Sequence, residues 1–133
     1  MKMMIRLGML LPMSGSEQRA AAIGALGDIK KEFGKDGGTW FAGEGVFPVV
    51  SGWWWNEEKA RLDEDPHVLV SVDVLPNADS ELSARRKLHC AFTSRYRGRG
   101  VAQAAVYISR EVVSIYELSG RVPRRQDLPT PSD

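Results

Sequence analysis

One cysteine and two histidines occur among the 133 residues, and no apolar run reaches the roughly 18 residues that a membrane-spanning helix needs. A lone cysteine cannot close an intramolecular disulfide, so nothing suggests a secreted scaffold held by cross-links. Two His and one Cys offer no usual metal-ligand spacing, and neither a metal nor another cofactor is expected. Charge of one sign is equally scarce. Lys and Arg number 18 against 17 Asp and Glu, a formal +1, too little to draw the whole molecule toward nucleic acid or a membrane through its global field. The signatures of nucleotide binding and of serine hydrolases are missing: there is no G-x-S-x-G, no P-loop and no G-x-G-x-x-G. Gly43-Glu44-Gly45 lacks the third glycine and the strand-to-helix setting. No catalytic set stands out.

What is present suits one domain with a real core. The chain is 43% hydrophobic and 8% aromatic, within the globular range, and its length needs no staple. The N-terminus starts basic and then turns apolar, as a signal peptide does. Arg6 and Pro12 interrupt the run, and no small-x-small cleavage site follows. Instead Ile5, Leu7, Met9 and Leu11 take the odd positions and the even positions include Arg6, Gly8 and Pro12, the period of a half-buried strand. A cytoplasmic protein is the expectation.

A helix should follow. Ser14 and Glu17 have the spacing of a capping box. Ile23, Leu26, Ile29 and Phe33, with Ala22 and Ala25, recur at helical spacing. Lys30 and Lys31 suit its last turn, and Gly34 suits a left-handed end. Gly24 and Gly27 inside it suggest close approach to a sheet. Thr39–Phe41 and Val46–Val50 read as short strands, with Ser51-Gly52 as a hairpin turn before the tryptophans. Asn56 to Pro66 is charged and reads as an exposed loop or short helix. Val68, Val70, Val72 and Val74 then mark the clearest strand. Pro76-Asn77-Ala78-Asp79 is turn and cap chemistry before a second helix over Ser80–Arg95. Its apolar side is read as Ala78, Leu82, Leu88, His89, Phe92 and Tyr96. Val101–Ile108 and Val112–Leu118 read as strands around Ser109-Arg110-Glu111. The order predicts an α+β, ferredoxin-like (split βαβ) antiparallel sheet with two helices on one face. Residues 1–118 form the domain, and 119–133 form a mobile tail.

Three groups of residues could carry function. Trp53-Trp54-Trp55, with Trp40 near in sequence, cannot all enter one core from a strand, because neighbours point to opposite faces. Exposed tryptophans beside Glu57, Glu58, Asp63 and Glu64 would suit a docking epitope for a protein partner. The same acids read equally as a solvated charge run. On the open sheet face, Arg6 and Asp73 would meet if their strands pair, as a cross-strand ion pair or the floor of a pocket with His67 for a small ligand or substrate. Arg85, Arg86, Lys87, Arg95, Tyr96, Arg97 and Arg99 form a basic stretch that could hold phosphates, with Tyr96 stacking on a base. Cys90 and His89 are adjacent on a helix, about 100° apart, and do not make a nucleophile–base pair. His89 is expected in the core. The leading expectation is an interaction module such as an immunity protein, inhibitor or phage-type antagonist, docking through 40–65. A small-ligand binder or enzyme, and a nucleic-acid binder, are the alternatives. A homodimer through an exposed edge strand also fits the pattern.

Overall fold

Alternating side chains organise the sheet. In the computed structural model, which describes residues 1–34, 38–43, 47–48, 50–97, 106–116 and 124–127, β1 (Lys2–Pro12) buries Ile5, Leu7, Met9 and Leu11. β5 (Arg61–Val74) buries Val68, Val70, Val72 and Val74. The two strands pair antiparallel in the register that superposes these rows: Ile5 on Val74, Leu7 on Val72, Met9 on Val70 and Leu11 on Val68. A slip of one residue would turn one whole row to the other face, so burial itself fixes the register. β6 (Ile108–Ile115) takes the second edge of β1, setting Val112 beside Ile5 and Ile108 beside Met9.

The far edge of β5 is divided. β2 (Gly38–Gly43) pairs along Leu69–Val72, and β4 (Val50–Asn56) along Arg61–His67. β3 (Phe47–Pro48) pairs with β2. The order is β3-β2-β5-β1-β6, with β4 on β5 and every pairing antiparallel. The molecule is therefore α+β, with β2, β5, β1 and β6 as the body of the sheet.

α1 (Gly15–Phe33) and α2 (Ala78–Tyr96) cover that body. Ala21, Ala22, Ala25, Leu26, Ile29 and Phe33 of α1 join Ala84, Leu88, Ala91, Phe92 and Tyr96 of α2 in one cluster with the β1 and β5 rows. Ile23, placed in the stripe by spacing alone, is 57% exposed. It lies about 100° round the helix from Ala22, and the alanines, which allow close approach, define the buried side instead. In α2, Leu82 and His89 are exposed rather than part of the core, and Cys90 is exposed beside them.

The ends of the helices differ in part from expectation. Ser14 makes no side-chain cap. Its backbone N–H donates to Gln18 Oε1 at 2.7 Å, so Gln18 takes the role that the spacing gave to Glu17. Gly34 is right-handed, at φ −55° and ψ −33°. Asn77 does cap α2: its Oδ1 accepts the Ser80 N–H at 2.9 Å. The interior glycines of α1 do not serve the sheet. A methyl group on Gly24 would meet the Arg95 side chain of α2 at 2.9 Å, whereas one on Gly27 would meet nothing within 4 Å. Gly27→Ala is accordingly expected to stabilise the protein by about 0.5–1 kcal/mol, through helix propensity alone. A raised urea midpoint with unchanged slope would show it.

Two predicted turns are strand. Ser51-Gly52 lies within β4, and Ser109-Arg110-Glu111 within β6. Asn56 to Pro66 is not a loop: a turn at 57–60 joins β4 to β5, with Ala60 in the left-handed region at φ 49°. Pro66 is tolerated inside β5 because its carbonyl, not an N–H, is used there, accepting from the Met13 N–H at 2.9 Å. Of the predicted tail, Arg125–Asp127 forms one 3-10 turn. The rest of it, apart from Arg124, lies outside the described residues, as do 101–105 of the strand expected over Val101–Ile108; Val106 and Tyr107 are not strand, and β6 begins at Ile108.

Candidate functional site

β4 and the first half of β5 form a two-stranded arm that begins where β1 ends. Val50 and Pro12 both pair with His67, and from there toward the tip β5 has β4 as its partner among the described residues. The register sets Trp53 opposite Glu64, Trp55 opposite Leu62 and Trp54 opposite Asp63. Directly opposed residues share a face, and the period is two. Trp53, Trp55, Leu62 and Glu64 therefore occupy one face, and the Trp54 position lies on the other. Trp53 is 75% exposed, Trp55 55% and Leu62 64%. Glu57 and Glu58 are exposed at the tip, and Glu64 beside Trp53. The side chains of Trp40 and Trp54 lie outside the description. By register, the Trp40 backbone pairs with Val70, away from the arm.

The other face of the arm is held by polar bonds. Asp63 Oδ2 accepts from Asn56 Nδ2 at 2.8 Å, and Asp63 Oδ1 from Arg61 Nε at 2.8 Å. Asn56 Oδ1 in turn accepts the Lys59 N–H at 3.2 Å. The hydrogen bonds from Asn56 and Arg61 hold the Asp63 carboxyl below the usual aspartate range. Asp63 thus ties the hairpin tip together, while Glu57, Glu58 and Glu64 are the carboxylates turned outward.

The Arg6–Asp73 pair forms. Arg6 Nε and Nη2 donate to the two Asp73 oxygens at 2.8 and 3.1 Å, from directly opposed positions. That hydrogen bonding raises the Arg6 pKa further. His67 does not join them. It sits six residues along β5, and its Nδ1 is 2.9 Å from the Asp65 carbonyl. A cleft of about 450 Å³ reaches Asp73 from the side of Lys2, Phe33, Asp79 and Lys87, and neither Arg6 nor His67 lines it.

The basic stretch of α2 is dispersed. Arg95 donates through Nε and Nη2 to Asp28 at 2.7 and 2.8 Å, tying α2 to α1 and holding the Asp28 carboxyl below its usual range. Lys87 Nζ lies 5.6 Å from the Phe33 ring centroid. Tyr96 is 2% exposed, stacks on Phe92 and donates its hydroxyl to the Pro12 carbonyl at 2.8 Å. Its ring cannot stack on a base, because it belongs to the core. Arg86 and Arg97 are exposed, and Arg99 lies outside the described residues.

Arg85 instead meets two residues that spacing did not single out. Arg85 Nε donates to Glu81 Oε2 at 2.9 Å, and Arg110 Nε to Glu81 Oε1 at 2.8 Å. Arg110, and then Arg85, hold the Glu81 carboxyl below the usual glutamate range. The i,i+4 spacing of Glu81 and Arg85 was a readable signal. Arg110 reaches the pair only through the β1–β6 register. Leu62 was hidden in the same way, since only its pairing with Trp55 makes it part of a patch.

Together these features define a small α+β domain with a projecting, Trp-bearing β-hairpin. No protein-family model matches the chain, and no curated protein is similar to it. No described helix is long and apolar enough to cross a membrane.

Proposed function

We propose that the protein is a small interaction module, of the inhibitor, immunity-protein or phage-antagonist kind, that docks a protein partner through the β4–β5 arm. One observation carries this reading: Trp53, Trp55 and Leu62 stand exposed together on a single face of a hairpin. Large apolar side chains gathered in water are unfavourable unless a partner covers them, and tryptophan is the residue most enriched at binding hot spots. Glu64 opposes Trp53, and Glu57 and Glu58 are exposed in the adjoining turn; these carboxylates favour a partner with basic groups beside an apolar centre. A cytoplasmic setting is part of the same proposal. A ferredoxin-like description of the sheet is supported by β1 lying between β5 and β6, with β2 beyond β5; the β4 hairpin is an addition to that plan.

Truncation of either exposed tryptophan should remove at least about 2 kcal/mol of binding, roughly 30-fold in affinity. The experiment is affinity capture from host lysate with wild type and with Trp53→Ala/Trp55→Ala, alongside circular dichroism of both. A protein retained by the wild type and lost by an equally folded variant supports the reading. Equal recovery by both overturns it.

A further inference from the structure

Arg85 of α2 and Arg110 of β6 share one carboxylate. Each gives Glu81 its Nε alone. Arg6 and Arg95, which also bridge separate elements, each spend two nitrogens on a carboxylate of their own. Neither Arg85 nor Arg110 has a further hydrogen bond or ion pair among the described residues. Among the described residues both Nη groups of each guanidinium are therefore unspent, and Nη groups are strong, forked donors matched to oxyanions. The charges do not balance either: two guanidiniums face one carboxylate, leaving one positive charge.

These side chains border a cleft of about 420 Å³ between the start of α2 and the middle of β6. Asn77 and Ala78 form one end of it, while Leu82 and Pro76 supply an apolar wall. Leu82 is exposed although it belongs to the apolar side that spacing predicts for α2. A space of this size suits a small organic molecule.

We propose that this cleft binds a small aliphatic carboxylate, its anionic group between the Nη atoms of Arg85 and Arg110 and its carbon chain against Leu82. A monoanion balances the residual charge. A second carboxylate would also repeat, on the Nη side of the two guanidiniums, the bonding that Glu81 makes on the Nε side. Glu81 is then a positioning residue: it holds the two guanidiniums at one place but leaves their forks open. The site stands apart from the Trp-bearing arm and does not depend on it.

The test is a chemical-shift titration of the full chain at constant ionic strength. Hexanoate is the probe, with hexanamide, inorganic phosphate and a short peptide ending in a free leucine carboxylate as comparisons. Hexanoate should give saturable shifts at the amides of Ala78, Leu82, Arg85 and Arg110, and hexanamide none. Arg85→Gln and Arg110→Gln should each weaken binding about 10-fold or more, as expected for loss of a charge-assisted bond. Arg86→Gln, which is exposed and does not line the cleft, should leave it unchanged. Melting curves establish that the variants remain folded. Absence of saturation, equal response to hexanamide, or full binding by the folded Arg85→Gln/Arg110→Gln protein overturns the proposal. Saturation by phosphate alone or by the peptide alone overturns its assignment to a small carboxylate.

Discussion

Truncating Leu7 to alanine is expected to lower the unfolding free energy by about 3 kcal/mol. Leu7 has no exposed surface and stands at the centre of β1, between Val72 of β5 and Arg110 of β6. Its side chain lies in the cluster that α1 and α2 cover. Both flanking strands are held by backbone ladders, and the helices are tied to each other by the Arg95–Asp28 pair. The cavity left by the lost methyl groups therefore has little means of collapsing, which places the effect well inside the 2–5 kcal/mol range for such truncations. A domain of this size has about 5–15 kcal/mol in total, so the loss is a large fraction. Urea unfolding should show a lower midpoint and an unchanged slope. Leu75→Ala, at an exposed position just beyond β5, serves as the control and should shift stability by no more than about 0.5 kcal/mol. A Leu7→Ala loss below 1 kcal/mol would mean that the core refills and that this account of its rigidity is wrong.

Tyr96 gives a second large effect, and one that depends on pH. Tyr96→Phe keeps the stack on Phe92 but leaves the Pro12 carbonyl without its buried donor, for a loss of about 1–2 kcal/mol. Burial also pushes the Tyr96 phenol well above its ordinary value of 10.0. The unfolded chain, with its phenol in water, releases the proton near that ordinary value, while the folded protein retains it. Above about pH 10 the unfolded state therefore binds fewer protons than the folded state, and stability falls as pH rises. Below about pH 10 the contribution is fully present. The slope from this group approaches 1.4 kcal/mol per pH unit. Comparing wild type with Tyr96→Phe between about pH 9 and 11.5 isolates it: the gap between the two should narrow as pH rises. A gap that stays constant across the range would show that the phenol is not held protonated.

Elements whose side chains obey a simple period were legible in the sequence. β1 and the valine row of β5 could be read directly, and so could the existence of both helices, because burial on one face forces the pattern. The arm was not legible for the same reason. Arg61, Leu62 and Glu64 are exposed and Asp63 and Asp65 make polar bonds, so no apolar alternation marks them as strand, and Pro66 reads as a stop. What makes them a strand is pairing with β4, a relation that spacing along the chain does not express. The exposure of tryptophan was legible at the level of the triplet. Strand parity required at least one to be outside, and the register then showed that Trp53 and Trp55 share the face with Leu62. Tyr96 shows the opposite failure. Arginines beside it suggested a surface, yet the ring follows the helical phase of Phe92 into the core, while Arg95 pairs with Asp28 and Arg97 is exposed. Nor could Arg110 be assigned to Glu81, since their meeting needs β6 placed against β1.

The position of β1 also has a consequence during synthesis. β1 is flanked by β5 and β6, both of which follow it in the chain, and the Ser109 hydroxyl donates to the Gly8 carbonyl across 101 residues. At about 5–20 residues per second, a ribosome takes roughly 5–20 s to deliver that last neighbour. Until β5 is made both edges of β1 are unpaired, and from then until β6 is made one edge is, with its row of Ile5, Leu7, Met9 and Leu11 incompletely covered. The nascent chain thus carries an unpaired strand edge until β6 emerges, and slow codons placed before Ile108 would lengthen that exposure.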